Sequence, residues 1–102
     1  MFLAKVIGNV VSSQKDDKLT GNKLLVLRPL TIEGENPPKF AEGKNTVVAV
    51  DNCGAGVGQL VLFTQGSSAR QATGMKELPI DAAVIGLVDK GEAHSKKIFD
   101  KQ

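Results

Sequence analysis

Apolar residues interrupted by single polar ones run through "FLAKVIGNVVSS", residues 2–13, and predict a long strand that is apolar on much of both faces. Gly8 in its middle predicts a bend or bulge, as a small barrel needs where a strand turns a corner. The polar stretch "QKDDKLTGN" predicts the turn of a hairpin, and "KLLVLRPL" the returning strand, ended near Pro29 because proline lacks a ladder donor. Residues 31–45, "TIEGENPPKFAEGKN", combine glycine, proline and charge without apolar periodicity and predict a long surface loop. "TVVAVD" is the third predicted strand and "QLVLFTQ" the fourth, with "NCGAGVG" between them. "SSARQATG" fits a turn or two of helix with Ser67 or Ser68 as its N-cap, and "DAAVIGLVD" is the fifth strand. The remaining "KGEAHSKKIFDKQ" is mostly polar, a tail either frayed or docked through Ile98 and Phe99.

Five strands, one short helix between the fourth and fifth, and no long amphipathic helix predict a mainly β protein: a small five-stranded barrel resembling the oligonucleotide-binding fold. A chain of 102 residues suits one domain, here residues 1–102 with a polar C-terminal tail over 89–102. Folding at this size hides only about two thirds of the surface that the unfolded chain exposes, so burial between subunits would add stability.

Composition narrows the function classes. Thirteen basic and eleven acidic residues nearly cancel, and they are scattered except for Lys15–Lys18 and a basic pair at Lys96 and Lys97, which argues against a nucleic-acid groove. A single-stranded nucleic-acid binder, the main alternative for such a barrel, stacks bases on aromatic platforms, and this chain has four Phe and neither Trp nor Tyr. One cysteine, Cys53, and one histidine, His94, do not make a zinc site or an internal disulfide, and no metal or other cofactor is expected. Lys5 interrupts the apolar N-terminus and no small-residue cleavage site follows, so the expectation is a cytoplasmic protein without a membrane partner.

The glycine-rich stretch invites comparison with a phosphate cradle. A dinucleotide fingerprint needs Gly-x-Gly-x-x-Gly between a strand and a helix, whose N-terminus supplies donors and dipole for the pyrophosphate. Here Gly54, Gly56 and Gly58 have the wrong spacing and lead into "QLVLF", a strand. They are read as structural, permitting positive φ and close backbone approach, with Asp51 accepting backbone donors in the turn. A small enzyme using Ser67 or Cys53 is a further alternative, but Arg70 stands where a Gly-x-Ser-x-Gly elbow needs its second glycine, and no base is identified.

Three stretches in order, "GNVVSSQKDDKLTGNKLLVL", "VAVDNCGAGVGQLVLFTQGSSARQA" and "LPIDAAVIGLVD", resemble the vertex proteins of bacterial microcompartment shells and cover over half of the chain. The resemblance implies a non-catalytic, cytoplasmic shell component: a homopentamer that caps fivefold corners, with hexagonal shell tiles as neighbours. It assigns Gly66, Ser67, Ser68, Ala69 and Arg70 to contacts with neighbouring tiles, and Asp51, Gly54, Ala55 and Gly56 to the turn before the fourth strand. Two positions depart from the pattern: Gln59 stands where an acidic residue is common, and the 31–45 stretch is longer than the resemblance implies.

Overall fold

A computed structural model describes residues 1–11, 23–66, 69 and 81–100. Its strands are β1 (Phe2–Val10), β2 (Lys23–Glu33), β3 (Lys39–Glu42), β4 (Val47–Asp51), β5 (Leu60–Gln65), β6 (Ala82–Leu87), β7 (Lys90–Ala93) and β8 (Lys96–Asp100). Five of them close a barrel in the order β1-β5-β6-β4-β2, with β2 returning to β1. All neighbours are antiparallel except β4 and β6, which run parallel.

Period-two patterning decides which side chains fill the barrel. Along β2, Leu25 and Leu27 point inward while Leu24, Val26 and Arg28 alternate outward, and the same alternation puts Ala4 and Val6 of β1, Ala49 of β4, Val61 and Phe63 of β5, and Ala82 and Val84 of β6 into one core. Aliphatic and alanine residues on facing strands leave room in this narrow interior for Phe63, the largest of its fully buried side chains. Gly8 lies at a bulge, where the β1–β2 register jumps between Val6 and Gly8 and Ile7 is left without a partner across the ladder.

Pro29 does not end the second strand. It is the last β2 residue paired with β1, opposite Ala4, and the next residue, Leu30, already pairs with Glu42 of β3. The proline therefore occupies the changeover between two ladders, where its missing N–H costs little, and its carbonyl accepts from Gly43 N at 2.9 Å. The surface loop expected over residues 31–45 is accordingly corrected to a β-hairpin extension, Leu30–Glu33 against Lys39–Glu42, with Ile32 directly opposite Phe40. Arg28 fastens its base by donating to the carbonyls of Gly43 and Lys44.

The C-terminal residues also pair. β7 and β8 form a separate hairpin, turned at His94 and Ser95, both with positive φ, and bridged to the first extension through Lys96 Nζ, which donates to Asn36 Oδ1. Ile98 and Phe99 border the same grooves as Leu30, Phe40 and the outward-facing Leu60, so the hairpin lies against the barrel wall. The helix expected over "SSARQATG" falls on residues outside those described, apart from the buried Ala69.

Candidate functional site

The turn from β4 to β5, residues 52–59, is built around Asp51. This carboxylate is 5% exposed, and its two oxygens accept from Cys53 N and Ala55 N, each at 2.8 Å. An Asp at a strand end is suited to this because its short side chain reaches back to amides two and four residues on. Ala55 is fully buried in the core cluster, and its carbonyl accepts from Lys23 Nζ at 2.6 Å. Lys23 stands opposite Asp51 on the neighbouring strand, so one cross-strand pair holds both polar ends of the same buried peptide residue. Sequence reasoning missed Lys23, because nothing local to "GNKLL" shows that its ammonium spans 32 positions to a carbonyl.

The second half of the turn is tied to itself and to β1. Gly56 N donates to Gln59 Oε1 at 2.7 Å, and Gln59 N donates back to Gly56 O at 3.1 Å. Gly58 N donates to Val6 O at 2.8 Å, and Val6 N to Gln59 O at 2.9 Å, which extends the β1–β5 ladder past Leu60. Gln59 serves the turn as an uncharged acceptor of an amide proton. The amides of residues 53, 55, 56 and 58 thus all have protein acceptors, whereas a phosphate cradle requires such donors to be free and convergent.

Gly54 and Gly56, two of the three glycines of this turn, have different reasons to be there. Gly54 has φ +80°, and a Cβ built on it would meet nothing within 4 Å, so only the backbone demands glycine. Gly56 lies outside the left-handed region, and its Cβ would touch only Gln59 Oε1 at 3.9 Å. Gly54→Val is therefore expected to cost more than about 1 kcal/mol, while Gly56→Ala stays within roughly 0.5 kcal/mol of the wild type. Thermal unfolding of the two variants at equal protein concentration checks this; equal stabilities would show that the positive φ is not a constraint.

Cys53 is exposed at the rim of this turn with its Sγ 3.7 Å from Val84 O. Desolvation, and then the charge of Asp51, push its thiol above the ordinary cysteine value, so the thiolate needed of a nucleophile is disfavoured at neutral pH. Among the described residues, every buried side-chain nitrogen or oxygen has a hydrogen-bond partner. Of the second predicted group, Gly66 follows β5 with φ +71°, donates to Asp81 O at 2.7 Å and accepts from Ala69 N at 3.1 Å. Ala69 is fully buried, and Ser67, Ser68 and Arg70 lie outside the described residues.

The closed barrel, with a conspicuous turn that engages its polar groups in holding the chain together, defines the class as a small-barrel protein. The family profile described as ethanolamine utilisation protein EutN/carboxysome matches residues 1–89, and the chain belongs to this family. It is 49% identical over 92 residues to the bacterial microcompartment shell vertex protein GrpN of Rhodospirillum rubrum, covering 90% of this chain and 97% of that one. The solved structure of GrpN, a pentameric microcompartment shell protein, superposes with a TM-score of 0.76 at 46% identity, covering 91% of this chain and 99% of GrpN. The carboxysome protein CcmL of a Nostoc species superposes with a TM-score of 0.83 at 40% identity over 99% of this chain and all of CcmL.

Proposed function

We propose that this chain is a structural, non-catalytic component of a bacterial microcompartment shell, in the cytoplasm, which assembles as a homopentamer and caps the fivefold vertices between hexagonal shell tiles. The observation that carries the reading is a match to shell vertex proteins along nearly the whole chain, including one whose structure is pentameric. The engagement of Asp51 by two backbone amides and the raised pKa of Cys53 support the non-catalytic part, because both groups are drawn away from acid–base or nucleophilic work.

Within this reading, Gly66, Ser67, Ser68 and Arg70 form the contact with a neighbouring tile, and the fully buried Ala69 holds the segment to its own subunit. An arginine presents five donors in a planar fork suited to carbonyls and carboxylates, and Gly66 fixes the start of the segment against Asp81 at the entrance to β6. Native mass spectrometry of the purified protein is expected to give a ring of five 10.8 kDa subunits, and a monomer at every concentration would end the proposal. Arg70→Ala is expected to leave that ring intact and to lower its recovery in purified shells. Loss of the ring in this variant would move Arg70 to the subunit contact, and normal recovery would remove it from both.

A further inference from the structure

A ring with fivefold symmetry requires two different patches on every copy, each meeting the other kind on a neighbour. The outer surface of this barrel carries two. The first is a band of aliphatic side chains across β4, β2 and β1. Val48 is 48% exposed, pairs with Val26, and Val26 in turn pairs with Gly8 beside the exposed bulge residue Ile7. The hydrogen bond from Gly58 to Val6 brings Val57, 62% exposed, to the end of the same band. Gly8 has open space above its Cα, so the band is a smooth stretch of wall.

The second patch is concave. Leu3, Leu62 and Leu87 on the barrel, Ile32 and Phe40 on the β2–β3 extension, and Ile98 on the terminal hairpin line a groove of about 400 Å³. Ile32 is 41% exposed there. On the shared strands β1 and β2 the paired Lys5 and Arg28 separate the groove from the band, so the two are distinct surfaces.

We infer that these two patches are the complementary halves of the subunit interface, the band of one copy seating in the groove of the next. This rests on the ring proposed above. A second copy of the chain suits both patches, because the band is aliphatic, the groove is mainly apolar with Asp89, Lys90 and Glu92 completing its lining in charges of both signs, and a ring leaves neither patch open. GrpN, pentameric and 46% identical, is a relative in which such a ring exists. Seven of the eleven residues that line the groove fall within residues 1–89, the stretch that the family shares; Lys90, Gly91, Glu92 and Ile98 lie beyond it.

The test uses one variant per patch. Val48→Glu and Ile32→Glu each place a charge at an exposed position, and both are negative so that they do not attract each other. Each is expected to be monomeric where the wild type is a ring. Mixed one to one, they are expected to form a heterodimer of about 21.6 kDa, twice the subunit mass, because the groove of the first and the band of the second are still intact. Folding is checked by far-ultraviolet circular dichroism, and Val57→Glu and Leu87→Glu replace any variant that does not fold. A ring that survives either substitution, or two monomers that do not combine, overturns the pairing and leaves the affected patch to a tile. A wild-type protein that is itself monomeric would instead count against the ring.

Discussion

Phe63→Ala is expected to be the most destabilising single truncation in the core, lowering stability by about 3–5 kcal/mol, a large share of the roughly 5–15 kcal/mol available to a domain. Phe63 is 1% exposed and lies on the ladder between Phe2 of β1 and Val84 of β6. Its ring stacks on that of Phe2 with centroids 5.2 Å apart and planes at 28°. Truncation removes both the burial and the ring contact, and the closed barrel has little freedom to collapse into the space, since moving one strand strains two ladders. Phe63→Leu retains much of the buried carbon and is expected to cost less. Urea unfolding at one fixed protein concentration measures both, because ring assembly makes the midpoint depend on concentration. A midpoint unchanged in Phe63→Ala would mean that Phe63 is not the packing centre of the barrel.

How much of this architecture was legible in the sequence depends on how long each alternating pattern runs. β1, β4, β5 and β6 carry several Val, Ile, Leu or Ala positions in succession, and their inward residues announce themselves. The β2–β3 extension and the terminal hairpin do not. Lys39–Glu42 has only Phe40 and Ala41 between charges, which is too short a run to display a period, and the flanking Gly34, Pro37 and Pro38 look like loop. The β7–β8 turn uses His94 and Ser95 at φ 52° and 61°, where glycine or asparagine would be the usual signal. Pro29 read as a stop because a ladder normally needs its N–H, and only the change of partner at Leu30 explains why it is tolerated. At the candidate site, Asp51 and Gly54 were legible from local turn chemistry, whereas Lys23 acts across the barrel and leaves no local pattern.

Asp51→Ala is expected to cost about 3 kcal/mol, from the loss of hydrogen bonds to a charged group and the stranding of a buried amide. The two amides lost differ in their surroundings. Cys53 is exposed, so water can replace its partner, but Ala55 is fully buried and its N–H would be left without an acceptor. Asp51→Asn keeps one acceptor oxygen and turns a donor toward the other amide, so its cost is expected to fall between those of the wild type and the alanine variant. The damage should reach assembly as well as folding. The same turn carries the exposed Val57, and its attachment to β1 at Val6 through Gly58 and Gln59 holds the turn at the end of the band proposed for the subunit contact. Asp51→Ala is therefore expected to raise the protein concentration at which the ring dissociates, in addition to lowering the unfolding midpoint. Hydrogen exchange at the Ala55 amide gives the local readout: protection is expected to fall sharply in Asp51→Ala and only partly in Asp51→Asn. Equal protection in all three proteins would show that the carboxylate does not hold the turn.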